Sequence, residues 1–291
     1  MSPRDILFLV GINLIWGLTP LIMKFGMADM PPLLLMALRF LLASIVFSPF
    51  TRWHAGRMDK VLAVAIVAGA LSFAFLAAGL ARVDNMATVG IANQLNVPFA
   101  AILSVLVLGE VVRWRRWLGI GLSMVGGAVV AFDPRVIHFL DGFTLVTIAA
   151  LLNAISIIQM RGLQGVRPLE MQAWVAHVSW PVLLGLSLIF EPQPLASVAA
   201  AGWGAWFAVV YGVLGTSMIG HAGFYWMLQR HEVSRIAPFL LLSPLFTVLF
   251  GVLLMGDSLT WRIMLGGAMT LAGVTIINLR DKHVVKERVA P

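Results

Sequence analysis

The residues best equipped for chemistry are three carboxamides, Asn93, Gln94 and Asn96, followed by Pro98, inside a run that is otherwise apolar. An uncharged amide both donates and accepts hydrogen bonds. A polar side chain deep in apolar surroundings is costly and faces either the protein interior or a water-filled cavity. Proline removes one helical hydrogen bond and frees a carbonyl one turn back. Two readings stay open: the amides line a cavity and the freed carbonyl meets a ligand, or the amides tie neighbouring helices and the prolines Pro20, Pro98 and Pro244 only hinge or kink them. Asn153, Ser156 and Ser243 fall at a similar depth in their own runs. With Trp16 and Phe73 beside them, a cavity there would suit a neutral zwitterion with an apolar side chain.

Four basic groups invite a second reading. His177 and His221 could shuttle protons, since imidazole titrates near neutral pH, or each could donate one interhelical hydrogen bond. Lys24 and Arg39 lie within the apolar runs, Arg39 about 12 Å from the end of its run. They either bind a carboxylate of the substrate or exit path, or pair structurally with Asp29 or Asp84, or snorkel. Catalytic signatures are missing. There is no cysteine, hence no disulfide, thiolate nucleophile or cysteine metal site, and no H-E-x-x-H, G-x-S-x-G or phosphate-loop motif. No cofactor, no metal and no enzyme activity are expected.

The elements that must position these groups follow from composition. The 291 residues are 60% hydrophobic and 11% charged, with a mean hydropathy of +0.95. A soluble domain is roughly 45–50% apolar and about 25% charged, so the solvent for most of this chain is lipid. Ten runs are long enough to span a bilayer as helices, at 6–27, 32–51, 61–81, 86–108, 116–132, 142–160, 171–190, 203–227, 235–255 and 262–279. The first, with only Arg4 ahead of it and no small-residue cleavage site behind it, reads as an uncleaved span. None of the thirteen Asp and Glu falls in the middle third of a run, which leaves coupling through buried carboxylates without support.

The net charge of +7 and pI near 10.8 come from short basic clusters between runs rather than a basic face, so nucleic acid is not an expected partner. With ten spans both termini share one side. That side holds Arg4, Arg52, Arg57, Lys60, Arg113, Arg115, Arg116, Arg161, Arg167, Arg230, Arg235, Arg280, Lys282, Lys286 and Arg288, fifteen residues, against four on the other. The positive-inside bias places both termini in the cytoplasm. Trp53, Trp114, Trp117, Trp203, Trp206, Trp226 and Trp261 fall near run ends, where an amphipathic ring prefers the headgroup layer.

Residues 98–126 recur at 244–273. Pro98, Gly109-Glu110, Trp114, Gly119 and Gly126 align with Pro244, Gly256-Asp257, Trp261, Gly266 and Gly273 across one single-residue gap. Two halves follow: a first repeat over 1–132, a connecting loop at 133–141, a second repeat over 142–280 and a cytoplasmic tail at 281–291. Five spans per half is odd, so equivalent helices cross the membrane in opposite directions. The expected fold class is an all-α integral membrane protein of ten transmembrane helices in two inverted five-helix repeats, an arrangement characteristic of secondary transporters.

Each half ending Pro…Gly-Glu/Asp…Trp…Gly, with an opening span running Ile15-Trp16-Gly17 through Lys24, resembles the EamA-type branch of the drug/metabolite transporter superfamily over about residues 6–280. It looks most like the YddG-like exporters, which implies export of aromatic and other neutral amino acids. Asn153 stands near the place in the second half that would match Trp16, so a role for Trp16 does not carry across the repeat. The expectation is amino-acid transport out of the cell across the inner membrane by alternating access, without coupling in the absence of buried acids, as an exporter whose partners are a small-molecule substrate and membrane lipid. A proton-coupled exporter of another metabolite or drug is the alternative, and an intramembrane enzyme the rival class. The substrate's identity and the oligomeric state are not legible.

Overall fold

The computed structural model describes residues 1–163, 165–231 and 233–278. The expected tail at 281–291 lies outside them, as do Arg280, Lys282, Lys286 and Arg288. Ten long helices run through the described residues, which contain no strand. They are α1 (Pro3–Gly26), α2 (Pro32–Phe50), α3 (Met58–Arg82), α4 (Met86–Leu108), α5 (Trp114–Ala131), α6 (Leu140–Arg161), α7 (Pro168–Phe190), α8 (Trp203–Arg230), α9 (Pro238–Met255) and α10 (Trp261–Asn278). Eight are long and apolar enough to cross a membrane. The exceptions, α5 and α10, have 18 residues each and open on Trp114-Arg115-Arg116 and Trp261-Arg262. These charges dilute the apolar character of both helices; the expected runs 116–132 and 262–279 began on Arg116 and Arg262 and left only Arg115 outside.

Lipid tails are as apolar as leucine, so helices in a membrane associate through close packing and hydrogen bonds rather than through hydrophobic transfer. The contact of α5 with α10 is built that way. A Cβ placed on Gly126 would lie 2.5 Å from the Gly266 carbonyl oxygen, and one on Gly266 would lie 2.5 Å from that of Gly126. Gly119 and Gly273 face each other in the same manner. Between these pairs, the Ser123 hydroxyl donates to the Thr270 carbonyl at 3.3 Å and the Thr270 hydroxyl to the Ser123 carbonyl at 3.4 Å. Rising numbers in α5 meet falling numbers in α10. The two helices are antiparallel.

The same relation holds between α2 and α7. Glu191, at the end of α7, accepts from the backbone N–H of Leu33 and Leu34 at the start of α2, at 2.6 and 3.1 Å. A carboxylate is favoured at a helix N-terminus, and Pro31 supplies no side-chain cap there. At the opposite ends, the Trp174 indole donates to the Arg52 carbonyl at 2.8 Å and Glu170 pairs with Arg52. Elsewhere α1 packs on α9 as α6 packs on α4; α3 packs on α6 as α8 packs on α1; α7 packs on α3 as α2 packs on α8. Exchanging each helix for the one five positions later leaves these pairings unchanged.

Local irregularities recur at the same places. Three residues before Pro98 the helix α4 breaks at Leu95, and three residues before Pro244 a 3-10 turn ends at Leu241. Proline cannot donate to the carbonyl four residues back. Beyond each break the helix closes on a glycine with left-handed backbone, Gly109 at φ 66° and Gly256 at φ 72°, a conformation open to glycine without a Cβ penalty. Both α3 and α8 widen to π-helix, over Ile66–Leu71 and Tyr211–Ala222.

Past Gly256, Asp257 turns inward and accepts from the Ala87 N–H at 3.0 Å at the start of α4. Burial holds its carboxyl above the ordinary value, against the lowering by the Ala87 and Met86 N–H donors. An acid raised in the folded state is penalised as an anion above its folded value, and the penalty is relieved as pH falls through it. Asp257→Asn keeps an acceptor and cannot ionise. The wild-type melting temperature is therefore expected to gain on that of Asp257→Asn as pH falls from neutrality toward the ordinary carboxyl value of 3.8; parallel melting profiles would contradict this.

Candidate functional site

None of the amides is sealed in the core. Asn93 is exposed, Gln94, Asn96 and Asn153 are half-buried, and none of the four side chains bonds to a described residue. Three of them flank the break at Leu95. Ser156 differs: its buried hydroxyl donates to the Asn153 carbonyl at 2.7 Å, so its hydrogen bond is spent locally. Ser243 contributes backbone, its carbonyl accepting from Thr247 at 3.1 Å. The Thr247 hydroxyl also lies 3.0 Å from the Gly17 carbonyl, tying α9 to α1 beside the buried Pro244. Pro20 sits inside a continuous α1, and its missing N–H leaves the Trp16 carbonyl without its helical donor.

A second group forms where α1, α2 and α3 meet the π-helical stretch of α8. Trp16 lies edge-on to His221 at 5.3 Å and to Phe224 at 5.5 Å, and its indole N–H donates to the Thr216 carbonyl at 3.4 Å. That carbonyl also contacts His221 Nδ1 at 2.7 Å. A carbonyl only accepts, so Nδ1 carries the proton and Nε2 is the acceptor of the neutral ring. Thr19 and Thr216 share a hydroxyl–hydroxyl bond of 2.9 Å, and the Tyr211 hydroxyl donates to the Ile15 carbonyl at 2.8 Å. One turn along, Gly212 packs on the Arg39 side chain. The Arg39 guanidinium stands 5.0 Å from the Phe73 ring and 5.5 Å from that of Phe40.

The EamA-like transporter family matches residues 4–132 and again 140–279. The chain belongs to the EamA-like transporter family. A protein of Escherichia coli described as a probable amino-acid metabolite efflux pump is 25% identical over 98% of this chain and 99% of its own length. Its Salmonella typhimurium counterpart of the same description is 25% identical over 95% of each chain, and an uncharacterized transporter of Synechocystis is 24% identical over 98% of this chain and 93% of its own. A crystal structure 18% identical, with a TM-score of 0.58, covers 95% of this chain and 96% of the other; at that identity the likeness concerns the fold.

Within this EamA-like transporter, two of the expected basic residues hold the scaffold. Lys24 donates to the carbonyls of Leu80, Ala81 and Val83 at 3.0, 3.1 and 2.8 Å. The ammonium has three donors and all are used to close the C-terminus of α3, where a cation also suits the helix dipole. The hydrogen-bond partners are backbone carbonyls; of the two acids anticipated from sequence, Asp84 acts on the ammonium through its charge without a hydrogen bond. His177 bridges Ser44 at 2.9 Å and Thr51 at 2.7 Å with its two ring nitrogens, linking α7 to α2. Lys24→Met is expected to lower stability by about 1–3 kcal/mol, the worth of charge-assisted bonds to a partly buried cation, and to leave the KM for transport unchanged. Thermal unfolding and saturation of uptake check the two parts; a shifted KM at full stability would assign Lys24 to the pathway.

Sequence reasoning missed Thr19, Thr216, Tyr211, Gly212 and Phe40. The available signal was the run Gly212-Val-Leu-Gly-Thr-Ser-Met-Ile-Gly220-His221, small residues recurring within one span beside a histidine. It also missed Asn13, which is fully buried, donates to the Leu9 carbonyl at 2.8 Å and keeps its Oδ1 sealed without a partner. A cavity of about 540 Å³ opens elsewhere, among Phe50, Arg52, Arg167, Glu170, Tyr225 and Trp226, and includes none of the expected site residues.

Proposed function

We propose that this EamA-like transporter moves neutral amino acids with apolar or aromatic side chains, or similar small metabolites, out of the cell by facilitative alternating access. Its two halves, 1–132 and 142–280, act as an inverted-topology repeat in which α5 and α10 serve as the fifth and tenth spans, with both termini in the cytoplasm of an inner-membrane protein. The supporting observation is the set of unpartnered amides Asn93, Gln94, Asn96 and Asn153 within apolar helices. Such groups are costly in a membrane unless they meet water or a ligand. The antiparallel packing of equivalent helices supports rocking of one half against the other around that level. Every described Asp and Glu sits at a helix end or in a loop, which supports an uncoupled mechanism. The printed description of two relatives as probable amino-acid metabolite efflux pumps points the same way.

Exchange of labelled phenylalanine against internal phenylalanine in proteoliposomes tests the reading. A carrier shows acceleration by internal substrate with or without a proton gradient. Exchange that collapses when the gradient is removed would transfer the reading to a proton-coupled exporter, and a chemically altered label would indicate an enzyme. Reporters fused after residue 133 and at residue 278 must report opposite compartments if five spans separate them.

A further inference from the structure

Arg39 is 4% exposed, yet among the described residues no carboxylate lies within 4.0 Å of its guanidinium. Its one recorded polar contact is Nη1 to the Met36 sulfur at 4.0 Å, a weak acceptor at the limit of reach. Taking such an ion out of water is costly even after relaxation. The rings of Phe40 and Phe73 offset only part of that cost as cation–π contacts. The rings alone leave the charge under-compensated, so the guanidinium keeps its capacity to bond an anionic group.

The Arg39 side chain lies directly on α8: a Cβ on Gly212 would stand 2.6 Å from Arg39 Cδ and 2.7 Å from Nε, so the guanidinium keeps this place only while position 212 carries no side chain or the arginine shifts. The π-helical stretch that supplies Gly212 also carries Thr216 and His221, which contact Thr19 and Trp16 of α1. A guanidinium is a planar fork matched to a carboxylate, and apolar rings flank it.

We propose that Arg39 seats the carboxylate of the transported molecule, so that the site takes carboxylates with an apolar remainder and turns away the corresponding amides. This rests on the amino-acid carrier reading above, and two separate readouts keep the two apart. Binding is read as the melting-temperature shift of the purified full-length protein with L-phenylalanine or L-phenylalaninamide at matched ionic strength. Transport is read as phenylalanine exchange in liposomes.

Phenylalanine is expected to raise the melting temperature and phenylalaninamide to leave it unchanged. Arg39→Gln is expected to weaken the phenylalanine response by at least about tenfold in concentration, as loss of a charge-assisted hydrogen bond implies. Equal shifts by acid and amide, no shift by either, or an undiminished response in Arg39→Gln overturns the role of Arg39, whether or not exchange occurs. A carboxylate-specific shift lost in Arg39→Gln, with no exchange by the wild type, sustains the role and removes the carrier reading. Should Arg39→Gln not fold, the acid-against-amide comparison in the wild type decides alone.

Discussion

Replacing Gly126 with alanine is expected to destabilise the bundle by about 1–3 kcal/mol, in the range of overpacking a well-filled interface. The added methyl would lie 2.5 Å from the Gly266 carbonyl oxygen and 2.6 Å from the Thr270 nitrogen. Those neighbours are backbone, which has no rotamer to give, so α5 and α10 must separate. Separation would also lengthen the reciprocal Ser123–Thr270 hydrogen bonds. Because Gly266 meets the Gly126 carbonyl at the same 2.5 Å, Gly266→Ala is expected to cost a similar amount. The double variant should cost clearly less than the sum of the two, since the helices move apart once. Melting temperatures in detergent provide the measurement. Strict additivity, or an alanine at 126 without effect, would mean that the helices do not meet as described.

The amides predict the opposite pattern. Replacing both Asn93 and Gln94 with alanine removes side chains that bond to no described residue, one exposed and one half-buried. No buried partner is left unsatisfied, so stability is expected to change by no more than about 0.5 kcal/mol, as for surface positions. Exchange of phenylalanine is expected to fall at least about tenfold, the worth of one or two hydrogen bonds to a polar ligand. If instead the variant melts much earlier, the amides are interhelical ties. If it is stable and exchanges at the wild-type rate, the pathway lies elsewhere.

Much of this was legible before any coordinates. Composition named the solvent, because 11% charged residues cannot cover soluble cores. Polar residues inside apolar runs marked Asn93, Gln94, Asn96 and Asn153, since lipid makes each of them expensive. The repeated Pro…Gly-acid…Trp…Gly pattern marked the prolines as candidate kinks, while the left-handed caps at Gly109 and Gly256 came only with the structure.

Other features depended on which atoms met across the bundle. Glu110 and Asp257 are equivalent in sequence, but Glu110 pairs with Arg161 at 2.5 Å while Asp257 turns onto the start of α4. Lys24 was visible as a cation in an apolar run, but its carbonyl partners lie 56 to 59 residues away. Arg39 likewise gave no sign that it would stand between two rings with no acid among the described residues within 4.0 Å. One-dimensional order records the cost of placing a group in lipid and the dihedral limits of proline and glycine. Tertiary packing decides which distant donor, acceptor or ring offsets that cost, because the offset depends on distances between helices that no local pattern encodes.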